Sequence, residues 1–186
     1  MKLEDQRILF IMRSTQHGGT ENVVLQLCEI FHDQVNQIFV AGGNGFHKEK
    51  LEPYQIPFID IPDLEDKRPR NMICIIERLR SVIRKHRSTV VHTHHRMAAF
   101  YCQLLCLNKH IRLINTSHTA FYDKKVLTHI AFRRFHLIAC GEGVKKSLTK
   151  GLGFSPERIT VICNGVKKKT YLDSSMIEEI QQARMN

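Results

Sequence analysis

Tryptophan is absent from the 186 residues and proline is sparse, at 5. No stretch approaches the ~20 consecutive apolar residues of a membrane span. The charged start, Met1 to Arg7, is followed by too short an apolar run for a signal peptide, so a cytoplasmic protein is expected. The cysteines (Cys28, Cys74, Cys102, Cys106, Cys140, Cys163) show no C-x-x-C spacing. Most sit inside apolar segments and are expected to be reduced core residues, in keeping with a cytosolic compartment. No serine stands in a nucleophile-elbow context and no carboxylate pair is placed for hydrolysis, which argues against a hydrolase. The dinucleotide fingerprint and the Walker loop are missing. So are basic-aromatic interleaving and any helix-turn-helix or RNA-binding signature, which leaves a nucleic-acid module supported by charge alone. No internal repeat, low-complexity segment or linker is present.

What remains is a globular composition, 42% apolar and 25% charged. The length suits one domain that buries roughly two thirds of its unfolded surface. Lys and Arg (28) outnumber Asp and Glu (18), giving a net charge of +10. The excess is spread over Lys67–Arg70, Arg78–Arg87, Arg133–Arg134, Lys145–Lys146 and Lys167–Lys169. Such a surface attracts anions: nucleic acid, anionic lipid or a phosphorylated substrate.

The chain is organised around Ile8 to Cys28. An apolar run, Ile8–Met12, reads as a buried strand; a polar bend leads to Gly18-Gly19, then to a helix with Val23, Val24, Leu27 and Cys28 on one side. Thr20 is the expected N-cap, with Glu21 in the favoured first turn. A glycine turn before a helix N-terminus lets backbone N–H groups approach a phosphate or carboxylate. Further strands are expected at Gln37–Ala41, Pro57–Ile61, Thr89–Thr93, Ile111–Thr116, His136–Cys140 and Arg158–Cys163. Helices fall between them: Met72–Arg87, with Met72, Ile76, Leu79 and Ile83 on its apolar face, then about Met97–Leu107, Lys124–Phe135, and one running through Lys150. Ser175 to Glu178 offers a capping box for a last helix. This alternation predicts an α/β, doubly wound parallel sheet of about seven strands, Rossmann-like, with its ligand crevice beyond the carboxyl ends of the strands.

Polar, glycine and histidine residues gather at those strand ends. His92 and His94 share one face of an extended chain, so a metal pair, a satisfied polar strand end and a substrate-contacting edge are all open. Arg96 behind them disfavours a cation. His118 closes the fifth strand; it can bond a substrate hydroxyl, move a proton, or tie two loops together. Glu142 fits a first-turn carboxylate, and Asn164-Gly165 a turn.

In order along the chain, His17-Gly-Gly-Thr-Glu-Asn-Val-Val24, Val90-Val-His-Thr-His94, Asn115-Thr-Ser-His-Thr119, Ala139-Cys-Gly-Glu-Gly-Val144 and Arg158-Ile-Thr-Val-Ile-Cys-Asn-Gly-Val166 resemble the N-terminal, acceptor-side half of a GT-B fold, family-four retaining glycosyltransferase. The resemblance covers about residues 7–172. It implies a Rossmann-like domain over 1–172, with 173–186 a terminal helix or the start of a crossover to an absent C-terminal donor domain. It assigns Gly18 and Gly19 to the donor diphosphate and His118, as the catalytic residue, to the transferred sugar. His17, His94, His95, Ser117, Glu142 and Asn164 fall to the acceptor side and cleft floor. A nucleotide-sugar donor, a glycan or lipid-linked acceptor, retention of configuration, and no metal or other cofactor are what the family implies. Peripheral contact of the basic helix with an anionic membrane, and no nucleic acid, complete the expected partners. Gly141 stands where a serine commonly precedes the glutamate, and Lys167 where an aspartate commonly follows Asn-Gly-Val. The family's paired glutamates have no counterpart, so the chain alone is expected to turn over little. The alternative is a non-catalytic half-enzyme or binding subunit with a separate donor-domain partner.

Overall fold

The computed structural model describes residues 2–13, 18–43, 48–105, 110–121 and 123–165. Seven strands form one sheet: β1 (Arg7–Ile11), β2 (Gln37–Gly42), β3 (Phe58–Asp60), β4 (Val90–Thr93), β5 (Arg112–Ser117), β6 (His136–Ala139) and β7 (Ile159–Val161). Every pairing is parallel and the order is β3-β2-β1-β4-β5-β6-β7. The helices between them are α1 (Gly19–Phe31), α2 (Pro69–Lys85), α3 (Arg96–Leu104), α4 (Lys125–Phe132) and α5 (Glu142–Lys146), the last continued by a π-turn over Ser147–Gly151. The strand order reverses between β1 and β4, where a doubly wound sheet opens a crevice at its carboxyl rim.

Alternation along the strands divides the core. Leu9, Ile11, Val91, Leu113 and Leu137 face one layer, where Ile75, Leu79, Val82 and Ile83 of α2 and Phe132 of α4 pack. Ile8, Phe10, Ile38, Val40 and Val90 face the other, against Val24 and Cys28 of α1 and the segment through Leu51 and Ile56. In register across the middle of the sheet lie Phe10, His92 and Ile114. Beyond β4 this second face carries no helix among the described residues. An apolar cleft of about 260 Å³ lies there, lined by Val23, Leu27 and Ile30 of α1 and by Ile138 and Ile162.

Several expectations need correcting. The N-cap of α1 is Gly18, and its extended backbone makes no side-chain cap, so Thr20 belongs to the first turn. Helix α2 starts at Pro69, since proline at the first helical position sacrifices no hydrogen bond. Its buried stripe is Ile75, Leu79, Val82 and Ile83, with Met72 and Ile76 at the margin. Helices α3 and α4 are shorter than expected, as are the third and seventh strands. Cys28 and Cys102 are core residues, but Cys163 is exposed. Cys106, His17, Lys167 and the capping box at Ser175 lie outside the described residues.

Candidate active site

Strand β4 ends on Thr93, and the next residues, His94 and His95, turn the chain into α3. His95 is the N-cap: its Nδ1 accepts the Met97 N–H at 3.3 Å. Its other nitrogen, Nε2, lies 3.3 Å from Glu65. Beside it, Arg96 meets Asp123 at 3.2 Å and Thr128 at 3.3 Å, and its guanidinium rests over the Phe121 ring. Strand β5 ends in a tied network. The buried Asn115 amide donates to Thr93 O at 3.0 Å and Thr93 Oγ1 at 2.8 Å, and its carbonyl accepts from Ser117 at 3.1 Å. These bonds fix the ends of β4 and β5 against each other.

Three imidazoles stand in a row on the α1 face. His92 and His94 have ring centroids 4.3 Å apart, and His94 and His118 5.4 Å apart. His92 Nε2 lies 2.8 Å from Thr116 Oγ1, and His94 Nδ1 lies 3.1 Å from His118 Nε2. The Phe10 ring backs both His92 and His94, at 5.4 and 6.0 Å. Burial pushes the His92 pKa down to about 3 and that of His94 well below the usual histidine value; burial also lowers His118. The row is therefore uncharged at neutral pH.

Thr20, in the first turn of α1, lines the same hollow as His94, His95, Ser117 and His118; the hollow measures about 330 Å³. Thr20 of the first turn and both histidine-bearing edges thus line one hollow at the carboxyl rim of the sheet, at its topological switch point. The first helical N–H groups, at Gly19 and Thr20, have no carbonyl within the helix to bind, but Gly19 itself lines a different groove along α1, and neither Gly18 nor Gly19 lines this hollow. Glu142 is exposed at the start of α5 and does not line the hollow. Nor does Asn164, which borders a separate groove along α1 with Asn22, Gln26 and Tyr54.

Sequence reasoning missed several groups. Asn115, Glu65 and Asp123 join the site through contacts between distant segments, for which no local pattern is a signal. Among the described residues, no three His, Cys, Asp or Glu side chains converge as metal ligands.

An all-parallel Rossmann-like sheet with a polar crevice at the switch point defines the class: an α/β domain of the GT-B type, as found in nucleotide-sugar transferases. The model of glycosyltransferase family 4 matches residues 17–169, and the chain belongs to that family. A glycosyltransferase from Rickettsia africae superposes with a TM-score of 0.77 at 18% identity, over 97% of this chain and 49% of that one. Anabaena HepE, crystallised with UDP and glucose, gives 0.74 at 19% identity, over 96% and 50%. The lipopolysaccharide outer core galactosyltransferase WaaB gives 0.70 at 15% identity, over 89% and 47%. No curated protein sequence matches significantly. The chain spans about half the length of these solved structures.

Proposed function

We propose that this chain is the acceptor-side half of a retaining glycosyltransferase, moving a sugar from a nucleotide-sugar to a glycan or lipid-linked acceptor. The observation that carries the proposal is the shared hollow: Thr20, in the first turn of α1, and His118 line one crevice. In this scheme the N–H groups at Gly18 and Gly19 hold the donor diphosphate, where the helix dipole favours negative charge. His118 contacts the transferred sugar, and His94, His95 and Ser117 form the acceptor side. A donor domain supplied by the rest of the protein closes the crevice, and no resident metal or cofactor takes part. Without it the chain turns over little, since two substrates held by two domains react as if in one molecule. The protein works in the cytoplasm, in peripheral contact with anionic membrane and without nucleic acid.

The test is release of a nucleoside diphosphate from a sugar nucleotide by the full-length protein. Replacing His118→Ala should cost about 100-fold in turnover, the usual effect of losing one preorganised polar contact to the reacting group. A normal rate in that variant would remove His118 from the chemistry. In a second arrangement, a separate polypeptide supplies the donor domain. Co-purification of a partner that restores transfer would distinguish it.

A further inference from the structure

His94 Nδ1 and His118 Nε2 are 3.1 Å apart, and two neutral rings can place only one proton between them. Both rings are held neutral by burial. The decisive neighbour is the far side of His94. Its Nε2 is buried and has no hydrogen-bond partner among the described residues, and the whole residue is only 5% exposed. His92 lies across its ring at 31° and Phe10 packs beside it, so its immediate ring neighbours are a neutral imidazole and a phenyl.

Two proton arrangements satisfy the short contact. In one, His118 Nε2–H donates to His94 Nδ1, and His94 must then carry its own proton on Nε2 as a buried, unbonded N–H. In the other, His94 Nδ1–H donates to His118 Nε2, and the orphan on His94 is a bare lone pair. Genuinely orphaned buried N–H groups are rare in folded proteins, which disfavours the arrangement that leaves one on His94. The second arrangement therefore prevails. It puts the proton of His118 on Nδ1.

We infer that His94 is a positioning residue that locks His118 as its Nδ1–H tautomer, so that His118 offers the hollow a hydrogen-bond donor for a ligand oxygen and not a base. The cleft-side partner is then an oxygen lone pair, which in a glycosyltransferase is a hydroxyl or ring oxygen of the sugar; only this identity of the ligand rests on the function proposed above. Proton abstraction from an acceptor hydroxyl falls to some other group. The bond between the Cys140 thiol and the His118 carbonyl, at 3.4 Å, helps hold the loop in place.

Histidine-selective 15N labelling of the 186-residue chain, read by long-range proton–nitrogen correlation at mildly alkaline pH, reports each tautomer without any turnover. Both His94 and His118 should show protonated Nδ1 and bare Nε2. In His94→Phe the donor is lost, and His118 should revert to the Nε2–H form that an unconstrained histidine favours. In His94→Asn, whose amide can donate from nearly the same place, the Nδ1–H form should persist. His118 found as Nε2–H in the unmodified chain, or unchanged in His94→Phe, overturns the inference. Should the phenylalanine variant not fold, the unmodified spectrum decides by itself. Failure of sugar transfer in the full-length protein would leave these spectra as they are, so the two proposals fall separately.

Discussion

At the scale of single residues, the uncharged state of the histidine row couples folding to pH. His92 titrates near 3 in the folded protein and His94 well below its ordinary value, both because burial disfavours the charged ring. In the unfolded chain each returns to about 6.5. Between those limits the unfolded state binds more protons than the folded one. Stability is thus fully present above about pH 6.5 and is lost as the pH falls towards 3, by roughly 1.4 kcal/mol per pH unit for each ring. The carboxylates with depressed pKa, Asp66 and Asp123, lose their contribution only below the ordinary carboxylate range. Urea unfolding should therefore show a midpoint that drops between about pH 6.5 and 5, before those carboxylates matter. A midpoint independent of pH over that interval would mean the two rings are not buried neutral.

Secondary-structure elements show where local sequence stops being sufficient. Helix α2 was legible from its apolar period, and its end fell within two residues of the expected Arg87, although the usual glycine marker is missing. The Ser88 N–H bonds Ile83 O at 3.1 Å and the Arg87 N–H bonds Arg84 O at 3.2 Å, the paired bonds of a Schellman cap. The residue in the left-handed position is Arg87, with φ of 50°, where glycine is the common choice. A side chain there costs ~1–2 kcal/mol, part of which glycine returns through its freer unfolded state. Arg87→Gly should then stabilise the chain by ~0.5–1 kcal/mol, measured as a higher urea midpoint with unchanged slope. A destabilised variant would show that the arginine side chain makes a contact worth more than the strain. The caps of the other helices were equally hidden: α1 begins on an uncapped glycine and α3 on a histidine, neither a strong sequence signal. The same limit applies at the site. The rule for parallel sheets selects a rim, and His94, His95, Ser117 and His118 at the ends of β4 and β5 line one hollow there. Glu142 and Asn164 sit at equivalent strand ends yet fall away from the hollow, since β6 and β7 are far from the reversal point between β1 and β4.

For the whole molecule the dominant property is its net charge of +10, and α2 concentrates part of it. Arg70, Arg80 and Arg84 follow one exposed stripe with Ile73, which is 57% exposed; Glu77 is the one acid along it. A stripe of arginines around an exposed apolar residue is suited to the surface of an anionic bilayer, where each cation gains ~1 kcal/mol. Allowing for the acid, the preference for anionic over neutral vesicles should be about 10- to 100-fold, and salt should erase it. No described helix is long and apolar enough to cross the bilayer, so any contact through α2 lies along its surface. The placement also matters for chemistry. Just ahead of α2, Glu65 meets His95 and Asp63 meets Arg13 at 3.3 Å, so the start of this helix is tied to the rim of the hollow. If α2 lies on a membrane, these two ion pairs connect that surface to the rim of the hollow. Flotation with vesicles of anionic and of neutral lipid checks this, and Arg80→Glu with Arg84→Glu should abolish the difference while circular dichroism stays unchanged. Equal flotation with both lipids would detach the basic stripe from any membrane role.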